Sequence, residues 1–242
     1  MNRVSVVTVT LNNAAGLAAT LRSLAALSAK PFEVVVIDGG SRDQTGAVID
    51  DFRSRLQLSY RSEADDGIYD AMNKGRRLAR GELVHYLNAG DAVFGEPYAG
   101  VTGPTLLPVH ILDEGGAHAF DDFVKHGGYG YCHQGVIFPR DHPEYRTRFR
   151  VMADLDAIIA TFPEGLWALP RCASGGVKFG LGGLSSTALA MRDAEVRDIL
   201  KERLPWVRSL RLRSAIALKN LVPRPVRRSL ARVLSRPRMA DK

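Results

Sequence analysis

Cysteine is scarce in this chain of 242 residues: Cys132 and Cys172 are the only two, and they stand too far apart for a zinc spacing or a disulfide framework. A reducing cytosol is therefore the expected compartment. Neither G-x-G-x-x-G nor G-x-x-x-x-G-K-[ST] occurs, so dinucleotide and P-loop readings lose their main support. No window approaches the ~18 uncharged apolar residues that a membrane-spanning helix needs. The N-terminus runs from Met1 and Asn2 into a strand-like segment without a charged-then-apolar leader, and the expectation is a protein that stays where it is made. Internal repeats and low-complexity tracts are lacking too. What remains is one large α/β domain with a tail, or at most two small domains. A hydrophobic share of 45% against 24% charged residues is enough to bury a core.

The net charge of +7 is unevenly spread. From Leu204 to Lys242 there are 11 Lys and Arg against one acid, Asp241, while the other 203 residues carry 22 basic and 25 acidic groups. The body is mildly acidic and the tail strongly basic, an asymmetry that speaks of a partner for the tail.

Apolar runs alternate with helix-period segments through the first half. Strands are expected at Val4–Thr10, Glu33–Ile37, Gln57–Tyr60 and Glu82–Leu87, and helices at about Ala14–Leu27, Gln44–Arg55 and Ile68–Arg80. Such alternation gives βαβ units and a parallel sheet covered on both faces. Ligands on such a sheet bind at the carboxyl ends of the strands. The clusters after each strand (Asn12–Asn13, Asp38–Ser41, Ser62–Gly67 and Asn88–Asp91) should therefore share one edge. The middle of the chain reads as a short strand at Leu106–Leu112 and a short helix at Ala119–Lys125. An apolar strand follows over Tyr131–Phe138, then a helix entered through FRVMADLDAI, the turn GLGGLS, and a charged helix from about Thr187 to Glu202.

Three clusters carry chemistry. In VVVIDGGSRDQT a buried strand ends on Asp38, an acceptor for a base or ribose; Gly39 and Gly40 allow close backbone approach, and Asp43 is placed to cap the next helix. SEADDGIYDAMNKG joins acids and a turn glycine to an amphipathic helix on which Arg76 and Arg77 read as solvated. LNAGD ends an apolar strand on one carboxylate, Asp91, a hard oxygen ligand of the kind that holds a divalent cation together with phosphates and water.

SVVTVTLNN, VVVIDGGSRDQT, DDGIYDAMNKG and LNAGD, in this order and spacing, resemble the nucleotide-binding half of family 2 glycosyltransferases with the GT-A fold. The closer likeness is to the bacterial branch that builds surface polysaccharides and glycolipids. CHQGVIFPR, FRVMADLDAI and GGLS resemble its acceptor half, so the likeness spans about residues 3 to 203. It divides the chain into a glycosyltransferase domain at 1–203 (nucleotide-binding half 1–94, acceptor half 95–203) and a basic amphipathic tail at 204–242.

The resemblance implies an α/β GT-A fold with a mostly parallel central sheet. It also implies inverting transfer of a sugar from a nucleotide-diphosphate donor to a hydroxyl, assisted by Mn²⁺ or Mg²⁺. Donor binding falls on Thr10, Asn12, Asp38, Gly39, Ser41, Asp65, Asn73, Lys74 and Asn88, and the metal on Asp91. His133, Gln134, Gly183 and Ser185 correspond to the acceptor and diphosphate region. Asp154 corresponds to the general base, with Asp156 in reserve; two residues apart, they lie roughly 200° around a helix and cannot share a face. Asp66 stands where many relatives have lysine and receives no role. The metal corner departs from the usual Asp-x-Asp-Asp, keeping one strong ligand, which leaves open a catalytically weak or inactive nucleotide-sugar-binding scaffold.

In the tail, Val207, Leu210, Ile216, Ala217 and Leu221 lie among arginines and lysines, the pattern of a helix resting on an anionic leaflet. The expected partners are a nucleotide-sugar donor, a glycan or lipid-linked acceptor and an anionic membrane surface at the inner face of the plasma membrane. Nucleic acid is disfavoured by the acidic body and the lack of an RNA-binding aromatic motif.

Overall fold

The computed structural model describes residues 3–113, 115–116, 118–121, 129–180 and 188–205. The chain opens on β1 (Val4–Thr10), α1 (Ala14–Ala25), β2 (Glu33–Asp38), α2 (Thr45–Phe52), β3 (Leu58–Ser62), α3 (Ile68–Leu78) and β4 (Leu83–Tyr86). These elements lie within a few residues of the expected ones, because β1, β2 and β4 are buried along their whole length and read as unbroken apolar runs.

Six strands form the main sheet in the order β3-β2-β1-β4-β9-β6, where β6 is Thr105–Leu106 and β9 is Val136–Pro139. The first four are parallel, and β9 is antiparallel to both β4 and β6. A second sheet runs β5-β10-β7-β8, with β5 at Ala92–Gly95, β7 at Val109–Leu112, β8 at His118–Asp121 and β10 at Gly175–Gly180. Two further helices close the described chain, α4 (Ala153–Thr161) and α5 (Leu189–Arg203).

Alternation along the strands gives the main sheet two cores. Val4, Val6, Val34 and Val36 face Leu17, Leu21 and Leu24 of α1 and Ile49 and Phe52 of α2, with Val93, Val109, Ile111 and Val177 of the second sheet in the same cluster. Val7, Val9, Val35 and Ile37 face the other way, into Tyr69 and Met72 of α3, Leu155 and Ile158 of α4, and Ile199 and Leu200 of α5. Gly75 lets α3 lie hard against β1, since a Cβ there would stand 2.3 Å from Val7 Cγ1.

The second half corrects several expectations. Leu106–Leu112 is two strands in two sheets, parted at Pro108, whose ring nitrogen has no hydrogen to give a ladder. Residues 119–121 of the expected helix Ala119–Lys125 belong to strand β8, and its remaining residues, 122–125, lie outside the described residues. His133–Gly135 is a 3₁₀ turn, so only Val136–Pro139 of that apolar run is strand. Strand β10 escaped the sequence reading because two glycines open it. The GLGGLS turn beyond Gly180 and the basic tail from 206 onward lie outside the described residues. Among the described residues no helix is long and apolar enough to cross a membrane.

Candidate active site

The carboxyl ends of β1, β2 and β3 finish level, with Thr10 opposite Asp38 and Asp38 opposite Ser62. At their centre Asp38 is 1% exposed and accepts four hydrogen bonds: from Ser41 N (3.0 Å), Ser41 Oγ (2.5 Å), Tyr60 OH (2.8 Å) and Ser62 Oγ (2.8 Å). Burial would raise its pKa, but the hydroxyls of Ser41, Ser62 and Tyr60 and the Ser41 amide outweigh it and hold the carboxyl below its ordinary value. A carboxylate has about four acceptor positions. All are taken by the protein, so Asp38 orders the turn and has no free lone pair for a base.

The neighbouring loops are stapled to one another. Asn12, in a left-handed conformation (φ 48°), donates its amide to Ser41 Oγ at 2.7 Å and accepts from Arg42 N at 2.9 Å. Asp43 accepts from Thr45 N and Thr45 Oγ1, and its other oxygen takes Ala14 N at the start of α1. It thus serves two helix starts from outside α2, whose N-cap residue is Gln44, not Asp43 as expected. Asn13 caps α1 and reaches Ala89 O at 3.1 Å. Asp65 folds over Gly39, where a Cβ would stand 2.7 Å from its Oδ2. Leu11 projects beside that glycine, 56% exposed, and the Thr10 hydroxyl is buried with no partner in the structure. The expected edge exists, and Thr10, Asn12, Gly39, Ser41 and Asp65 line it.

The corner after β4 is a tight turn in which Asp91 N donates to Asn88 O at 3.0 Å. Thr20 of α1 fastens it, donating to Asp91 O at 2.6 Å and accepting from Gly90 N at 3.0 Å. The Asp91 carboxyl is 6% exposed, and burial pushes its pKa up to about 7 against a single backbone hydrogen bond from Gly180. Asn88 Oδ1 is also buried without a partner. The Asp91 carboxyl, with only the Gly180 bond, and the unpartnered Asn88 oxygen three residues before it fit a divalent cation that takes its other ligands from phosphates and water. Among the described residues no group of three His, Cys, Asp or Glu forms a cage without such help.

Across the sheet, Asp154 occupies the first turn of α4. It is partly exposed, and Leu155 N donates to its Oδ1 at 2.8 Å. Burial pushes its pKa up to about 6; the Leu155 amide and Tyr69 hydroxyl pull the other way, and the Glu195 carboxylate adds to the rise. Asp156 points elsewhere: it is 1% exposed and held by forks from both Arg146 and Arg203. Burial opposes its ionisation, yet the two arginines keep its pKa below the ordinary value. A carboxylate locked between two cations is no proton acceptor, so the reserve candidate falls away.

Four other expected site residues are structural. Asn73 of α3 is 4% exposed and clasps the Tyr145 backbone, giving Nδ2 to its carbonyl and taking its N–H. Lys74 donates to Ala64 O at 2.7 Å and pairs with Glu63 and Asp70, pinning the loop before α3. His133, 4% exposed, stacks on Tyr86 and bonds Tyr145 OH at 2.6 Å; burial pushes its pKa down to about 3. Gln134 is 7% exposed, accepts from Cys132 Sγ, and lends its carbonyl to His85. These buried polar groups answer one another across the core. Arg76 is not solvated either: its side chain is 19% exposed, donating to Arg140 O and pairing with Glu144, which Arg77 also reaches. Gly183 and Ser185 lie outside the described residues. Thr20, Tyr69 and Glu195 carry no motif that marks them.

Comparisons with known proteins bear on the family and the fold. Residues 5–96 match the sequence profile of glycosyl transferase family 2. A PGL/p-HBAD biosynthesis glycosyltransferase of Mycobacterium bovis is 30% identical over 93% of this chain and 93% of its own length. A validoxylamine A glucosyltransferase of Streptomyces hygroscopicus is 41% identical over 36% of this chain and 21% of its own length. Among solved structures, S. aureus TarS with UDP-GlcNAc superposes at a TM-score of 0.66 and 16% identity, covering 87% of this chain and 70% of that one. The Pyrobaculum calidifontis mannosyltransferase PcManGT, with GDP-Man and Mn²⁺, gives 0.55 at 16% identity over 96% of this chain and 79% of that one. Fold and relatives define a glycosyltransferase of the GT-A class. The chain belongs to glycosyl transferase family 2.

Proposed function

We propose that this glycosyltransferase moves a sugar, with inversion, from a nucleoside-diphosphate donor to a hydroxyl of a glycan or lipid-linked acceptor, with Asp154 as general base. The observation that carries the reading is the state of Asp154: a partly exposed carboxylate at a helix start, with a pKa raised to about 6 and Leu155 N donating to its Oδ1. A base poised near the working pH transfers a proton effectively. The carboxylate takes the hydroxyl proton as the acceptor oxygen attacks the anomeric carbon. The bond from that carbon to the diphosphate oxygen breaks on the opposite face, its electron pair leaves with the diphosphate, and the proton stays on Asp154.

On the donor side, Thr10, Asn12, Gly39, Ser41 and Asp65 would receive the nucleoside, and Asp38 acts through the turn it orders. Asp91 with Asn88 would hold Mn²⁺ or Mg²⁺, which when bound neutralises charge on the leaving diphosphate. Solved neighbours crystallised with UDP-GlcNAc, or with GDP-Man and Mn²⁺, support that class of donor and metal. The 11 cations from 204 to 242 suit attachment to an anionic leaflet, where a lipid-linked acceptor would be met.

A thermal-shift panel of UDP, GDP, dTDP and ADP, with and without Mn²⁺, tests the donor half, since ligands of the folded state raise the midpoint. One nucleotide should give a metal-dependent rise. Hydrolysis or transfer of its sugar should then fall at least about 100-fold in Asp154→Asn. A metal-dependent rise without turnover in the parent would leave a nucleotide-sugar-binding scaffold, the reading that the single carboxylate at the metal corner favours, and full turnover in Asp154→Asn would refute Asp154 as the base.

A further inference from the structure

Three backbone amides just ahead of α4 point at one side chain from the far end of the domain. Glu195 of α5 accepts Arg150 N through Oε1 at 2.7 Å, and Val151 N and Met152 N through Oε2 at 3.0 and 2.9 Å. The carboxylate is 8% exposed, beside Val196, Ile199 and Leu200 on the buried stripe of its helix. Met152, the N-cap residue of α4, makes no side-chain capping bond, so the approach to this helix is ordered from outside. Two more contacts tie the same three residues to α3 and its preceding loop: Tyr69 OH donates to Val151 O at 2.8 Å, and Arg150 Nη1 to Asp66 O at 2.7 Å.

We propose that Glu195 is a positioning residue for Asp154: by gripping the amides of residues 150–152 it fixes where the first turn of α4 begins and so where the Asp154 carboxylate stands. The idea rests on the reading of Asp154 as the base. Stability alone does not call for this arrangement. A buried carboxylate is expensive to desolvate, and a glutamine on α5 could answer only part of the three-amide demand. Three charge-assisted bonds in a row are stiff, and position at a reacting atom is sensitive to shifts of about 1 Å.

The groups facing Asp154 are few. Tyr69 comes from α3, Tyr145 from the segment before α4, and Glu195 from α5, while Arg150 is turned to the Asp66 carbonyl. Asp156 and its two arginines stand on another side of α4. Glu195 is therefore the facing anion, and losing it should lower the proton affinity of Asp154.

The test follows the Asp154 carboxyl itself by ¹³C NMR in aspartate-labelled full-length protein, the resonance assigned by its loss in Asp154→Asn. In Glu195→Gln the titration midpoint should fall, with circular dichroism confirming a folded chain. Glu195→Asp keeps the charge but withdraws it by one methylene, and its midpoint should fall between the two. A midpoint unchanged in folded Glu195→Gln overturns the proposal. If that variant does not fold, an unchanged midpoint in Glu195→Asp does so. Hydrolysis of UDP-glucose, UDP-GlcNAc and GDP-mannose by Asp154→Asn tests the base reading separately. Full hydrolysis there with a moved midpoint in Glu195→Gln would sink the base and keep the coupling, and lost hydrolysis with an unmoved midpoint would do the reverse.

Discussion

Replacing Asp154 by asparagine should make the protein more stable, by an amount that depends on pH. The folded state raises this carboxyl from its ordinary value of 3.8 to about 6. Below pH ~4 the group is protonated folded or unfolded, and it contributes no difference. As pH rises through this window the unfolded chain ionises readily while the folded one resists, so stability is lost until pH passes the folded value. Two units of displacement correspond to about 3 kcal/mol at pH 8, about half of it already lost at pH 5. Solvent screening at a partly exposed group trims that figure. A domain of this size moves by about 2–4 °C per kcal/mol, so Asp154→Asn should melt about 5 °C higher than the parent at pH 8 and about half that at pH 5. Calorimetry of both proteins at the two pH values is the assay. An equal offset at both, or a variant that melts lower at pH 8, would refute the view that Asp154 is a desolvated, functionally strained acid.

Asp156 two residues on should behave oppositely. Its folded pKa lies below the unfolded value, so its contribution is present above pH ~4 and lost as pH falls. Asp156→Asn should cost about 3 kcal/mol near neutrality by stranding two guanidinium groups, read as a lower midpoint in urea. Asp91→Asn should remain folded yet lose any Mn²⁺-dependent thermal shift with nucleoside diphosphates; a retained shift would place the metal elsewhere. Asn73→Ala should lower stability by about 2 kcal/mol through two lost backbone bonds while leaving nucleotide affinity, measured by calorimetric titration, within about twofold.

The donor half was legible in the sequence because its signals are local. Fully buried parallel strands leave unbroken apolar runs, and the polar clusters after β1, β2, β3 and β4 mark one edge once the strands are parallel. Asp91 and Asp154 could be picked out through their motifs. Their electrostatic states could not, since burial of Asp91 and the facing Glu195 are facts of packing. Asn73, Lys74, His133 and Gln134 look like site residues in sequence, and only their partners (the Tyr145 backbone, the Ala64 carbonyl, Tyr145 OH and His85) reveal core and loop duties. Thr20 and Glu195 sit inside ordinary helical stretches. Their partners are about 70 and 45 residues away, a distance no local pattern spans.

The grip of Glu195 on residues 150–152, together with that of Arg203 on Asp156, has a consequence for the birth of the enzyme. Strands β1 to β4 can pair as they leave the ribosome, because their parallel ladders with one another lie within residues 4–86. Helix α4 cannot be set until α5 has emerged, some 40 residues later in the chain. Domains form from the N-terminal side during synthesis. A nascent chain can thus hold a formed strand edge at β1 to β3 while the Asp154 carboxylate waits unaligned until residues 189–203 have emerged.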